Sequence, residues 1–190
     1  MKVRRVVTGH DKNGKAVFAS DTDVEPITAS LVPGAEFHRL WGGDTAPAFP
    51  DSGAMPSYAT YFPPVGGFRF SFFSLAPRRR GPAEAGVATV PDPAALSEFE
   101  AKLPGLAKYL EPDTPGMHTT PTIDFEVVLS GEVVLELDDG ASVTLRAGDT
   151  VVQNGTRHRW RNAGDIPAVV AVFICGAHHA RVRSSLSSGR

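Results

Sequence analysis

The sequence predicts an all-β fold, an antiparallel barrel or sandwich of short strands. Gly and Pro together number 35 of 190 residues (19 plus 16), which favours short strands and turns over long helices. Between Gly116 and Cys175, short apolar, β-branched runs alternate with Gly, Asp and Asn turn signals at close intervals. A chain of this length can bury one sizeable core, so we expect a single domain over residues 1–190.

Composition excludes several classes of function. The formal charge of −2 gives no global attraction for nucleic acid or an anionic membrane, and we find no helix-turn-helix segment. No run approaches the roughly 18 apolar residues of a membrane helix, and the N-terminal residues lack the apolar segment of a signal peptide. The single cysteine, Cys175, fits a reducing compartment. We therefore expect a cytoplasmic protein without nucleic-acid or membrane partners.

Residues 1–75 are predicted to supply the first strands and a long loop. Arg4–Thr8 and Lys15–Ser20 read as a hairpin whose turn contains Asn13-Gly14. Such a terminal hairpin is marginal alone and must lie on its own barrel or on a second subunit, so we predict a homodimer. Glu36–Trp41 and Phe68–Leu75 are the next predicted strands.

Three features of this half of the chain leave alternatives open. The loop Gly42–Ala59 has a length typical of segments that either cover a site or are mobile. Phe68, Phe70 and Phe72 share one face of a strand, which suits hydrophobic core or an aromatic wall for a ligand. Arg78-Arg79-Arg80 suits either a clamp for an anionic substrate or a solvated loop.

Residues 92–110 form the one clear helical segment. Asp92 can cap it, Pro93 occupies its first position, and Leu and Phe recur at helical spacing. Pro104 should kink or split the helix. We expect a helical insertion packed beside the strands, with a lid as a further option. At the other end, residues 180–190 are expected to form a frayed tail.

The residues after His118 alternate in a way that requires an explanation. His118, Thr120, Asp124 and Glu126 share one side of a regular strand, and the opposite side is apolar. Carboxylates inside a barrel cost several kcal/mol unless they are paired, hydrogen-bonded or bound to a metal. In the later run 157–162, arginines alternate with side chains that we expect to point inward, which are His158, Trp160 and Asn162.

The two segments resemble the two motifs of the cupin superfamily. The first motif corresponds to His118, Thr120, Asp124 and Gly131, and the second to Gly148, Gly155, His158 and Asn162. Thr120 stands where the family has a second histidine, Asp124 replaces the usual Glu, and Gln153 replaces a Pro. The whole-chain layout also looks like bacterial single-barrel cupins of unassigned activity. The resemblance implies a cupin-type jelly-roll barrel, with residues 116–175 as its core, an N-terminal strand extension and one helical insertion.

Carried over by position, the resemblance implies a metal site at His118, Asp124 and His158. Two histidines and one carboxylate favour Fe(II), with Mn, Ni or Zn as alternatives on ligand type, or no metal if the site is degenerate. Glu126 is expected to assist proton transfer as a catalytic residue. The residues expected to contact a small-molecule substrate are Thr120, Phe70, Phe72 and Trp160.

The predicted function is a metal-dependent enzyme that acts on a small oxygenated organic molecule inside the barrel. Dioxygenation, isomerisation, dehydration and decarboxylation all remain open, because a fold does not fix its chemistry. The alternative is a non-catalytic, metal-free barrel that binds a small molecule.

Overall fold

The fold is built almost entirely from β-strands. The computed structural model describes residues 1–77 and 92–182, so the Arg78-Arg79-Arg80 run and the tail from residue 183 lie outside the described residues. Within these ranges there are one α-helix, α1 (Pro93–Lys102), and ten strands: β1 (Val3–His10), β2 (Ala16–Val24), β3 (Glu36–Gly43), β4 (Phe68–Leu75), β5 (Thr122–Ser130), β6 (Glu132–Glu136), β7 (Ser142–Arg146), β8 (Thr150–Gln153), β9 (Arg159–Asn162) and β10 (Ala168–Gly176).

The strands pair antiparallel in three sheets. A five-stranded sheet has the order β3-β4-β10-β5-β8, a three-stranded sheet has the order β7-β6-β9, and β1 pairs with β2. One apolar cluster joins Val128 and Val170 of the five-stranded sheet to Val133 and Leu135 of the three-stranded sheet. The two sheets therefore face each other, which confirms the predicted all-β, jelly-roll class. We call the space between them the interior, and the side of the five-stranded sheet that carries Val128 its inner face.

The turn between β5 and β6 shows why the chain needs a glycine at one motif position. Gly131 has φ +75°, and a Cβ on it would lie 2.6 Å from the Cα of Ala168. Only glycine combines this backbone conformation with so close an approach. The turn carries the chain directly from the five-stranded sheet to the three-stranded sheet, so it helps to hold the two layers together.

The N-terminal hairpin is present as predicted. Gly14 has φ +78° in the turn, and the Asp11 carboxylate accepts the backbone N–H groups of Asn13 and Lys15 at 2.8 and 2.9 Å. The hairpin contacts the following loop through the backbone N–H of His10, which donates to the Asp51 carbonyl at 2.7 Å. This part of the Gly42–Ala59 segment therefore lies against the hairpin.

The helical insertion fills part of the interior. The Asp92 side chain accepts the N–H of Ala94 at 3.2 Å, and α1 ends before Pro104, as the sequence predicts. The buried side chains of the insertion pack with Val172 and Ile174 on the inner face. They are Phe99, Leu103 and Leu106. The insertion is thus part of the core. No helix among the described residues is long and apolar enough to cross a bilayer.

Candidate active site

Two histidines from the two facing sheets meet in the interior. His118 lies four residues before β5, and His158 immediately precedes β9. They form an isolated antiparallel bridge in which each backbone N–H donates to the other carbonyl at 2.9 Å. The two imidazole centroids lie 4.2 Å apart, with the rings inclined by 50°. The structure thus brings together the two histidines that the alternation pattern directed inward.

Each imidazole is oriented by a carbonyl two residues earlier in the chain. Nδ1 of His118 lies 3.0 Å from the Gly116 carbonyl oxygen, and Nδ1 of His158 lies 2.9 Å from that of Thr156. Donation from Nδ1 keeps the lone pair on Nε2, where it can accept a proton or bind a ligand. Burial lowers the pKa of both rings, and burial together with the charge of His118 lowers that of His158 to about 4. Both imidazoles are therefore neutral at pH 7.

Gln153 on β8 contacts the same nitrogen of His158, Nδ1, that lies beside the Thr156 carbonyl. Its amide nitrogen lies 3.0 Å from Nδ1 of His158 and 3.0 Å from the Thr156 carbonyl oxygen, and it also contacts the Thr156 hydroxyl. An amide that donates to Nδ1 moves the imidazole proton to Nε2. Gln153 therefore influences which nitrogen of His158 carries the proton. In the sequence, Gln153 was recognised only as a residue that replaces a Pro of the second family motif.

Two carboxyl groups lie on the inner face of β5. Asp124 and Glu126 are each 5% exposed, and neither Asp124 Oδ1 nor Glu126 Oε2 has a hydrogen-bond partner among residues 1–77 and 92–182. Burial raises the pKa of Asp124 to about 7, against the opposing effect of a hydrogen bond from Thr122. Burial and then the charge of Asp124 raise the pKa of Glu126 well above its ordinary value. Carboxylic acids that stay protonated near neutral pH can donate a proton to a bound molecule.

Tyr61 belongs to this site and was not found from the sequence. Its ring packs edge-on against Phe37 and Phe62, at centroid distances of 6.1 and 5.0 Å. Burial raises the pKa of the phenol, and the negative charges of Asp124 and Glu126 raise it further. The phenol therefore lies within electrostatic reach of both carboxyl groups. Tyr61 lies in an irregular segment without periodicity, so no pattern pointed to its burial.

The predicted metal site is not assembled as a set of three ligands. Within the described part of the chain, no three His, Cys, Asp or Glu side chains are grouped so that they could hold one ion. Gln153 is the cross-strand partner of Asp124, and its side chain contacts Nδ1 of His158. His118 and His158 fit a pair of imidazole ligands. The geometry therefore does not fit the predicted set of two histidines and Asp124.

Two of the predicted substrate-contact residues lie on the interior side. Thr120 is 1% exposed, and its hydroxyl lies 2.8 Å from that of Thr122, so the position of the missing histidine holds a hydroxyl pair. The Trp160 ring lies 6.4 Å from the His158 ring at an interplanar angle of 87°. It also approaches Phe73 at 6.1 Å. Trp160 thus borders the histidine pair on the side of His158.

Phe70 and Phe72 face away from the interior, so their prediction as cavity walls is wrong. Phe70 pairs across strands with Phe173 on the outer face and is 38% exposed. The intervening residues of β4, Ser71 and Phe73, point inward instead. The alternation along this strand is as predicted, but the pattern of a single strand does not determine which of its sides packs against the second sheet. The phenylalanine-rich side was therefore assigned to the wrong face.

These outward phenylalanines line a groove on the opposite side of the sheet. The groove has a volume of about 1240 Å³ and lies between β1 and the outer face. Its aromatic lining consists of Trp41, Phe49, Phe68, Phe70, Phe72 and Phe173. None of the interior histidines or carboxyl groups contributes to it. The groove and the titratable cluster are therefore separate features, and the acid–base groups belong to the cluster.

Comparison with known proteins finds a family match in the segment that contains both histidines and both carboxyl groups. The family model described as the cupin domain matches residues 108–175. Phomopsin biosynthesis cluster proteins C′ and D of Diaporthe leptostromiformis are each 31% identical over 171 residues, which cover 90% of this chain and 76% of each relative. A cupin-domain-containing oxidoreductase of Aspergillus ruber is 28% identical over 191 residues, covering 99% of this chain and 79% of that protein.

Solved structures with this fold match at low sequence identity. The cupin domain of Cnp3 from Schizosaccharomyces pombe is 6% identical with a TM-score of 0.45, covering 91% of this chain and 87% of that one. A predicted oxalate decarboxylase from Thermotoga maritima is 14% identical with a TM-score of 0.42, covering 80% and 93%. The curated relatives named above are fungal, so the expected likeness to a bacterial type is not supported.

Proposed function

The chain belongs to the cupin family, and from this premise we propose that it is an enzyme acting on a small oxygenated organic molecule bound in the interior. Relatives from Hypocrea virens, Aspergillus ruber and Neurospora crassa are named cupin-domain-containing oxidoreductases, which supports an enzymatic role. The match to the Aspergillus protein runs along nearly the whole chain. The proposal therefore concerns the complete fold.

One observation carries the proposal. Four titratable side chains occupy neighbouring positions on the inner side of the fold: His158, Asp124 and Glu126 are buried, and His118 is half-buried against His158. A buried carboxyl oxygen without a partner costs free energy, so a purely structural interior would not favour two of them. A ligand with hydroxyl or carbonyl groups would satisfy the unpartnered oxygens Asp124 Oδ1 and Glu126 Oε2. Perturbed acids and bases that cluster in this way are typical of active sites.

The residues divide into proton donors and proton acceptors. Asp124 and Glu126, whose pKa values are raised by burial, would donate a proton to a carbonyl or leaving oxygen. The neutral imidazole of His118 would accept a proton through Nε2, and that of His158 would accept one through the ring nitrogen that carries no proton. Proton transfers of this kind serve isomerisation and dehydration.

Incubation with a metabolite extract of the source organism tests this function. Mass spectrometry over time should find a compound whose loss matches the gain of a product, in an amount that exceeds the amount of protein. The double variant His118→Asn, His158→Gln should lose this turnover, while the exposed His178→Gln variant should retain it. Turnover that survives in the double variant would refute the proposed roles of the two imidazoles.

Non-catalytic binding is the second candidate function. It is favoured by Thr120, where a hydroxyl pair replaces a family ligand, and by the lack of a three-ligand group in the described residues. A binding protein would retain a compound in a fixed ratio to the protein, and the compound would leave unchanged. The same incubation separates the two functions, because only an enzyme converts more molecules than there are protein chains.

We also propose that the protein is a homodimer in which outward side chains of the five-stranded sheet pack on a second copy. Several apolar residues of this outer face are strongly exposed: Phe70, Phe125, Val127, Val152 and Phe173. A contiguous apolar surface of this kind marks an interaction site in soluble proteins. Light scattering on the purified chain measures its mass directly.

A further inference from the structure

Arg39 lies in the same cross-strand row as Glu126. The register pairs Arg39 on β3 with Ser71 on β4, Ser71 with Val172 on β10, and Val172 with Glu126 on β5. Directly paired residues point to the same side of a sheet, so all four face the interior. Three strand spacings separate the ends of the row, about 14 Å at roughly 4.8 Å each. Arg39 and Glu126 thus lie at opposite ends of one inward-facing row, with Val172 of the apolar core between them.

Arg39 has no anionic partner in the part of the chain that the structure describes. Its guanidinium carbon lies 4.5 Å from the centroid of the Tyr58 ring, a cation–π contact that leaves the N–H groups unengaged. No hydrogen bond or ion pair joins Arg39 to residues 1–77 or 92–182. An arginine carries five N–H donors in a fixed planar fork. The guanidinium group of Arg39 therefore carries a positive charge and N–H donors that have no hydrogen-bond acceptor among the described residues.

Arg69 makes the contrast clear, because it touches the same aromatic ring. Its guanidinium carbon lies 4.0 Å from the Tyr58 centroid, but the group is 2% exposed and fully engaged. It donates to the carbonyls of Thr60 and Gly43 and forms a 2.6 Å ion pair with Asp44. Arg69 therefore has a structural role in fixing the loop. Arg39, stacked on the same ring, is the one of the two that can bind something else.

The charge of Arg39 reaches the acidic part of the interior. Burial raises the pKa of the Tyr61 phenol, the charge of Asp124 raises it further, and the charge of Arg39 acts in the opposite direction. Tyr61 is thus influenced by the arginine and by the carboxyl groups at once. This agrees with the inward orientation that the strand register gives to Arg39 and to the carboxyl groups.

We propose that Arg39 binds an anionic group of the substrate, a carboxylate or a phosphate, and so directs the rest of that molecule towards Glu126 and the histidine pair. The planar fork suits bidentate contact with either oxyanion. Tyr58 holds the guanidinium plane by stacking, which preorganises the fork. This assignment of substrate class rests on the proposed function of the interior.

Three probes of similar shape test the anion site: benzoate, phenyl phosphate and the neutral benzyl alcohol. Saturation-transfer NMR should detect at least one anion, with a Kd on the order of 1 mM, and benzyl alcohol should bind at least about tenfold more weakly. The tighter anion distinguishes a carboxylate site from a phosphate site. Arg39→Gln should weaken anion binding at least about tenfold, and Arg39→Lys should restore part of it. Arg146→Gln, at an exposed arginine, should change nothing.

Absence of anion binding, or equal binding by wild type and Arg39→Gln, would overturn the proposal. Labelling with phenylglyoxal provides a test without any substitution, since this reagent modifies accessible guanidinium groups. Peptide mass spectrometry should find Arg39 modified and Arg69 protected, with slower modification of Arg39 when the bound anion is present. An unreactive Arg39 beside a reactive Arg146 would also overturn it.

The outcomes separate this proposal from the enzymatic one. Turnover in the metabolite extract without any Arg39-dependent anion binding would refute the anion site alone. Arg39-dependent anion binding without turnover would refute the enzyme and leave a binding protein for organic anions.

Discussion

The two faces of the five-stranded sheet differ in chemistry, and each carries side chains of the kind that an ordinary sheet places on the opposite face, although the inner face also holds apolar core residues. The inner face carries buried polar side chains: Arg69, Ser71, Asp124, Glu126 and Gln153. The outer face carries exposed apolar ones: Phe70, Phe125, Val127, Val152 and Phe173. Sheets with one solvated face normally place apolar residues inside and polar residues outside. Polar groups on the inner face point to a bound ligand, and apolar groups on the outer face point to a partner.

The largest expected effect concerns the inner face and pH. The pKa of Asp124 is raised from 3.8 to about 7, so the folded state binds a proton more tightly than the unfolded state. Stability is therefore lost as pH rises from about 4 to about 7 and is then constant. Asp124→Asn removes this loss and should be more stable than wild type by up to roughly 4 kcal/mol at about pH 8.5, with little difference near pH 4.

Urea unfolding at the two pH values measures this difference. Asp113→Asn, at an exposed carboxylate in a turn, is the matched control and should show no such pH-dependent gain. A stability difference for Asp124→Asn that is the same at both pH values would show that Asp124 ionises normally. The inner face would then be solvated, and the contrast between the two faces would lose its main support.

The second effect has the opposite sign and concerns His158. Burial and the neighbouring His118 lower its pKa from 6.5 to about 4, so the unfolded state takes up the proton first on acidification. Stability is lost as pH falls from about 6.5 to about 4, by roughly 3 kcal/mol. His158→Gln should remove most of this loss in urea unfolding, while His178→Gln should leave it in place. Equal acid sensitivity of His158→Gln and wild type would contradict the assigned burial.

The third effect concerns the outer face. Phe125→Asp and Phe173→Asp each place a charge in the proposed dimer interface and should weaken association by on the order of 2 kcal/mol, about thirtyfold in Kd. Light scattering at several concentrations would detect the shift towards monomer. Phe18→Asp, at an 81% exposed residue of the hairpin, tests the earlier expectation that the hairpin mediates association. Loss of the dimer only in Phe18→Asp would transfer the interface from the sheet to the hairpin.

The smallest effect concerns Gln153, at the edge of the inner face. Gln153→Ala removes contacts with Thr156 and His158 and should cost about 1 kcal/mol. It should also shift the His158 proton towards Nδ1, since the Thr156 carbonyl then has no competitor. Two-dimensional ¹⁵N NMR of the imidazole distinguishes the two tautomers. An unchanged tautomer population would mean that Gln153 does not control the proton.

Alternation along a strand made the central part of this site predictable. It placed His118, Asp124, Glu126 and His158 on one side; the last three are buried in the structure, and His118 is half-buried and bridged to His158. The strands, the Asn13-Gly14 turn and the helix end before Pro104 also followed from local patterns. These features depend on short-range geometry, which the sequence contains directly.

The predictions failed for features that are determined by contacts between segments distant in the sequence. Phe70 and Phe72 have the predicted alternation, but the second sheet packs on the other side of their strand. Arg39 and Tyr61 join the site through cross-strand register and loop packing, which no local pattern encodes. The family motif implied a metal-binding role for Asp124; what it does not encode is the β5–β8 register, which pairs Asp124 with Gln153, whose side chain contacts His158.

Carboxyl ¹³C NMR titration of the wild type tests the central claim most directly, with Asp124→Asn and Glu126→Gln used for assignment. A buried acid–base site predicts that Asp124 titrates near pH 7 and that Glu126 titrates well above its ordinary range. Titration of both groups near pH 4, as in solvent-exposed carboxylates, would contradict the account.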